Sequence, residues 1–342
     1  MKQKITIYGG ITLLITLLFC GSLLVGSVQI PAGTVIEILL GKTDSRVAWQ
    51  NIILQSRLPQ AITALLSGSA LAVSGLMLQT LFRNPLAGPS ILGISDGANL
   101  GVAIVMLYLG GSIGGGVYTI GGSIAVVLAA LIGAIAVLLL IIYFSGKLKN
   151  TIMVLIIGIM IGYLASSGIA VLNYISSADS VRSFVMWGMG SFSGVSSAQI
   201  PLYAGIISAG LLFAVLLIKP LNAMLLGERY AANLGVHVKR TRVMILLCTG
   251  LLTATVTAFC GPVSFIGLAV PHVARLLLGT SNHKWLVPVT ILSGAAIALI
   301  CNLFTTIPLG VGVLPLNAVT PILGAPVIIY ILVNRKNIHY FN

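Results

Sequence analysis

Ten mostly apolar stretches, each close to the roughly 20 residues a helix needs to cross the hydrocarbon core of a bilayer, follow one another through this chain of 342 residues. Inside lipid the backbone has no water to bond, so such stretches are stable only as helices packed on helices. The spans fall at about 5–29, 57–81, 91–109, 117–144, 152–175, 199–218, 243–260, 264–279, 285–305 and 315–333. The eighth is short and carries Pro271 and His272. With 58% hydrophobic and 7% charged residues, and a mean hydropathy of +1.12, the composition lies far outside that of a soluble domain. The expected fold is an all-α integral membrane protein, a single transmembrane domain over 1–342 with no soluble module.

Charge placement gives an independent check on the spans. Lys and Arg accumulate in short cytoplasmic loops. With the N-terminus inside, 14 of the 18 basic residues fall on the cytoplasmic side, and only Lys42, Arg46, Arg57 and Arg182 lie outside. Both termini are therefore expected in the cytoplasm. The net charge of +13 is spread along membrane borders rather than gathered on one face, which argues against a nucleic-acid partner. The apolar stretch from Ile5 is too long for a signal peptide and lacks a small-residue cleavage site, so it is expected to be a retained first span. Cys20, Cys248, Cys260 and Cys301 have no CxxC spacing and read as small hydrophobes in or near spans.

No energy source is visible within the spans. Gly41-Lys42-Thr43 supplies only the tail of a phosphate-binding loop, because Ile36 stands where its first glycine belongs. Ion-driven transport usually needs a carboxylate inside the membrane. Of the acids Glu37, Asp44, Asp96, Asp179 and Glu228, only Asp96 lies in a span. Its position also suits a helix start. An ion-coupled secondary transporter using Asp96 is the alternative reading, and a membrane-embedded enzyme would need a polar cluster that the sequence does not offer.

One polar insert breaks the apolar series, residues 219–242, with Lys219, Glu228, Arg229, Lys239, Arg240 and Arg242. Within it Leu225 to Gly235 reads as a short amphipathic cytoplasmic helix ending at Gly235. Such a helix either inserts into a partner's cleft or lies on lipid. A second pattern is an echo between Gly88-Pro89-Ser90-Ile91-Leu92-Gly93 and Gly261-Pro262-Val263-Ser264-Phe265-Ile266-Gly267, five spans apart. An odd offset places the copies on opposite membrane sides, as in inverted-repeat transporters.

These segments occur in order with Arg57-Leu58-Pro59, Leu81-Phe82-Arg83-Asn84-Pro85-Leu86-Ala87, Leu92-Gly93-Ile94-Ser95, Pro271-His272 and Gly324-Ala325-Pro326. Together they resemble the FecCD-type permease subunits of bacterial ABC importers for iron-siderophores, haem and vitamin B12, over about 57–332. The resemblance implies ten spans in an inverted-repeat permease and a homodimer with alternating access to a central pathway. It also implies two cytoplasmic ATPase subunits that carry ATP and Mg, and an extracytoplasmic binding protein. The chain itself then needs no cofactor or metal and is not an enzyme.

The resemblance assigns ATPase coupling to Leu226, Gly227, Glu228, Leu234 and Gly235, and a cytoplasmic gate to Asn84, Pro85, Leu86, Asn150 and Thr151. It puts binding-protein docking at Arg57 and a substrate pathway along Met153, Met160 and Tyr163. The chain departs from the family at Gln60, Thr306 and Val313-Leu314-Pro315, where related proteins carry charged residues. Docking to the binding protein is accordingly expected to be less electrostatic.

Overall fold

Residues 2–42, 46–109, 120–148, 151–307 and 314–333 are described in a computed structural model of the chain. They form α1 (Lys2–Leu24), α2 (Ala32–Leu39), α3 (Val47–Asn51), α4 (Leu58–Phe82), α5 (Ile94–Ala103), α6 (Ile120–Lys147), α7 (Thr151–Ile175) and α8 (Ala178–Gly188). There follow α9 (Ile200–Leu216), α10 (Ile218–Leu225), α11 (Glu228–Asn233), α12 (Val238–Cys260), α13 (Ile266–Leu278), α14 (His283–Thr306) and α15 (Leu316–Val333). No strand occurs among the described residues.

Each of the ten expected spans has its helix: α1, α4, α5, α6, α7, α9, α12, α13, α14 and α15. Six apolar helices are long enough to cross a bilayer alone, and α9 with α10 makes a seventh if the pair is one span. The helices at Ile94–Tyr108, Ile266–Leu278 and Leu316–Tyr330 are shorter. At 1.5 Å per residue the 13 residues of α13 rise only about 20 Å.

The second span differs from its expected bounds. α3, a π-helical turn at Ile52–Arg57 and α4 run on as one helix of 36 residues, Val47–Phe82. Arg57 is therefore inside a helix rather than at the outer mouth of one. Within this helix the hydroxyls bond back one turn, Thr63 Oγ1 to Pro59 O at 2.7 Å and Ser67 Oγ to Thr63 O at 2.6 Å. That satisfies polar groups where no water is present.

α4 is the central post, packed by α14, α12, α13 and α9. Small residues let it come so close. A Cβ added to Gly75 would collide with the carbonyl oxygen of Gly267 in α13, and one added to Gly68 would collide with that of Gly294 in α14. Without a hydrophobic drive between helices in lipid, such close backbone packing holds the bundle together. The outer helices turn large apolar side chains away from the protein, including Leu13 and Leu17 of α1 and Ile132 and Leu139 of α6, which suits contact with lipid.

The Gly-Pro echo has a structural counterpart. Each copy leads into a short apolar helix through a residue of positive φ, Gly93 (φ 73°) before α5 and Phe265 (φ 66°) before α13. The copies touch: Gly267 faces the Pro89 ring, so that a Cβ added to this glycine would stand 2.6 Å from Pro89 Cδ. Gly88 likewise faces Leu268. The copies, expected on opposite sides of the membrane, instead meet within the bundle.

Candidate functional site

The polar insert is not a loop. α9 ends at Leu217, and α10 leaves at 51° to it. Pro220, in the first turn of α10, lacks the N–H that would continue the α9 ladder, which accounts for the bend. A second turn at Leu226-Gly227 then starts α11. Gly227 has φ 102°, a conformation open to glycine but strained for other residues. The expected helix over 225–235 is thus shorter, Glu228–Asn233, because Gly227 cannot be helical in that geometry. Gly235, at φ 82°, makes the turn out of it toward α12. Lys239, Arg240 and Arg242 belong to the first turns of α12.

α11 shows two chemistries. Leu226, Tyr230 and Leu234 are 53%, 61% and 60% exposed, while Ala231 is buried against the protein. Arg229, Asn233 and Gly235 are exposed beside them. An apolar ridge with a basic flank is thus exposed on this helix. Tyr230, in the middle of the ridge, was not among the residues expected from sequence; its spacing of four from both Leu226 and Leu234 is the signal that marks it.

Glu228 faces inward instead. Arg242 Nη2 donates to its Oε1 at 2.8 Å, and the Thr151 hydroxyl donates to the same oxygen. Arg242 Nη1 reaches Ser145 O at 3.3 Å and Leu148 O at 3.1 Å, closing the carboxyl end of α6. The Arg242 side chain is 4% exposed and that of Glu228 34%. One guanidinium and one carboxylate therefore tie α11 and α12 to the end of α6 and the first residue of α7. The structure brings together two residues expected in separate roles, Glu228 for coupling and Thr151 for the gate. Arg242, which the sequence marked only as a topological charge, joins them.

The other segment expected at the gate follows α4. Arg83 caps that helix in the left-handed region (φ 47°). Asn84 Oδ1 accepts from Leu86 N at 2.9 Å to form an Asx turn. Pro85 O accepts from His272 Nε2 at 2.8 Å. Arg83 Nη1 lies beside Gly227, 3.4 Å from the position a Cβ would take, so the loop also borders the turn into α11. Farther along, Gly93 and Leu92 pack on Gly158 of α7. Asn150 lies outside the described residues.

Arg57 is not on an exposed docking surface. It is 7% exposed, and its Nη1 donates to Leu23 O at 2.9 Å and Leu24 O at 3.0 Å, with Nη2 on Val28 O. Those carbonyls lie at the end of α1 and just beyond it, and a guanidinium that caps them is occupied within the fold. Lys42, Arg46 and Arg182 are the expected outer cations that are exposed among the described residues.

α7 packs through Val154, Gly158, Gly162 and Ala165. Met153, Met160 and Tyr163 are 49%, 48% and 67% exposed, on the side turned away from that packing. Asp96, in the first turn of α5, is half-buried, and its carboxylate lies against Gly162 of α7. A carboxylate there faces the positive end of its own helix. Among the described residues no three His, Cys, Asp or Glu side chains come together as a metal site.

The profile of the FecCD transport family matches residues 13–334. The vitamin B12 import system permease protein BtuC of Klebsiella pneumoniae is 34% identical over 327 residues, covering 96% of this chain and 93% of that protein. An ABC transporter permease protein of Methanocaldococcus jannaschii is 33% identical over 343 residues, covering 97% and 95%. Among solved structures, an inward-facing conformation of a metal-chelate type ABC transporter superposes with a TM-score of 0.81 at 28% identity, covering 97% of this chain and 99% of that one.

Proposed function

The chain belongs to the FecCD transport family, and from that premise we propose that it is the membrane-spanning permease subunit of an ATP-driven importer for a bulky metal chelate, a cobalamin, a ferric siderophore or haem. Two copies enclose the pathway and alternate between outward and inward access. Two cytoplasmic ATPase subunits hold ATP and Mg and seat α11, and an extracytoplasmic binding protein delivers the chelate. The chain lies in the bacterial inner membrane with both termini in the cytoplasm. It does no covalent chemistry.

The observation that carries this reading is the Glu228–Arg242–Thr151 junction. A helix that only rested on lipid would need no buried link to the first residue of a span. Here a displacement of α11 by an ATPase acts on α7 directly, through a charge-assisted bond. The face of α7 with Met153, Met160 and Tyr163 then moves with it and changes the pathway wall. Those apolar and thioether side chains let a large ligand slide past without a deep binding well. The 34% identity to vitamin B12 permease proteins makes cobalamin the first cargo to test.

The experiment is affinity purification of the chain from its native membrane, followed by uptake into vesicles of labelled cobalamin, a ferric siderophore and haem. An ATPase subunit should co-purify, and one chelate should enter only with ATP. Purification without an ATPase, together with ATP-independent uptake, would overturn the reading.

A further inference from the structure

α10 carries a second link, made by Asn222, which precedes Glu228 in the insert. Asn222 Oδ1 accepts from the backbone N–H of His283 at 2.8 Å. A backbone N–H is always a donor, so the atom facing it is the amide oxygen. His283 Nδ1 lies 3.0 Å from that same oxygen and therefore carries a proton. His283 Nε2 is then an acceptor for the Thr80 hydroxyl of α4 at 2.8 Å, the shorter of the two contacts open to that hydroxyl, the other being Leu76 O one turn back at 3.0 Å. On its other side Asn222 Nδ2 donates to Asn282 Oδ1 at 3.1 Å, the oxygen that also caps α14 at Lys284 N. His283 and Thr80 are wholly buried.

The neighbour of Thr80 carries the line onward. Gln79 Oε1 accepts from Arg275 Nη1 at 2.6 Å, and Gln79 Nε2 donates to Leu268 O at 3.2 Å, so one amide clamps α4 to α13 at two points. From α13, His272 Nε2 donates to Pro85 O in the loop Asn84–Leu86. His272 Nε2 and Gln79 Nε2 are 3.5 Å apart, but both are donors in this arrangement, so they pack rather than bond.

We propose that Asn222, His283 and Thr80 are positioning residues for transport, a second line of transmission that carries motion of the insert from α10 through α4 and α13 to the loop Asn84–Leu86. This rests on the importer reading above. Apolar side chains would seal this part of the bundle as well, without the requirement for matched partners. A satisfied polar chain instead fixes one register between α10, α14 and α4, and a rigid register lets a displacement pass between helices. The Glu228 junction moves α7, and the Asn222 chain moves the loop after α4. The two gate segments are then driven from the two ends of one insert.

The test uses the purified complex of this chain with its ATPase subunits. Leu86→Cys in a Cys20→Ser background reports on the loop, since Cys248, Cys260 and Cys301 are buried. Labelling by a membrane-impermeant maleimide is timed with and without Mg-ATP. The parent should show an ATP-dependent change in labelling rate. Asn222→Leu and Thr80→Val should keep ATP hydrolysis while that change shrinks at least about tenfold, the effect of even one lost buried hydrogen bond on a two-state balance. Asn222→Asp keeps the acceptor for His283 and should restore the response. An undiminished response in both Asn222→Leu and Thr80→Val overturns the proposal. So does a parallel loss of hydrolysis, melting temperature and response in all three variants, which marks a bracket and not a relay. If the parent itself gives no ATP-dependent change, the importer reading falls along with the relay.

Discussion

Arg242 uses both terminal nitrogens of its guanidinium fork: one holds Glu228 and the other holds two carbonyls at the end of α6. A lysine has the charge but a single point of attachment. Arg242→Lys should therefore assemble with ATPase subunits yet transport fewer molecules per ATP, which parallel uptake and phosphate-release assays will show. Removing the acid leaves the guanidinium buried without its counter-charge. Because Glu228 is about one-third exposed, water moderates the cost, and Glu228→Ala should lower stability by about 1–2 kcal/mol, read as a lower melting temperature in detergent. Arg57 makes a different case. Its three carbonyl partners all lie at the end of α1 and just beyond. Arg57→Ala should cost roughly 1.5–3 kcal/mol and open the 25–46 segment to protease, whereas binding-protein affinity at low salt should change little.

At the scale of elements, α11 depends on the two turns that flank it. Gly227 and Gly235 both have positive φ. Gly235→Pro cannot adopt φ 82° at all, and Gly227→Val forces a β-branched residue into a glycine conformation. Either change should uncouple hydrolysis from uptake while spans elsewhere stay helical, a pairing that circular dichroism and transport assays together can test. Much of this level was readable in the chain. Spans show because lipid imposes length and apolarity residue by residue, and Glu228, Gly235 and the Gly-Pro echo stood out against an apolar background. What escaped notice depended on through-space partners. Arg57 reads as an outer charge until the helix is seen to begin at Val47 and α1 to end beside it. Arg242, Asn222 and His283 are ordinary interfacial residues in sequence, and only the fold sets them against Thr151 and Thr80. The polar insert holds α10, α11 and the start of α12 rather than the one short helix expected over 225–235, and Pro220 is the local sign of the bend.

On the scale of the whole molecule, function turns on where energy enters. The bundle offers an exposed ridge on α11 and a half-buried junction behind it, whereas Asp96, the acid within a span, rests against the α7 backbone at Gly162. If ATP acts through α11, Asp96 contributes packing and helix-end electrostatics. Asp96→Asn keeps the size and much of the hydrogen-bonding capacity of the side chain, so it should retain most uptake. The most direct measurement is chelate uptake into vesicles holding this chain with its ATPase subunits, with ion gradients collapsed by ionophores and ATP either supplied or withheld. The account predicts uptake that persists without gradients, stops without hydrolysable ATP and survives Asp96→Asn. Uptake that follows the gradient, needs no ATP and is abolished by Asp96→Asn would contradict it.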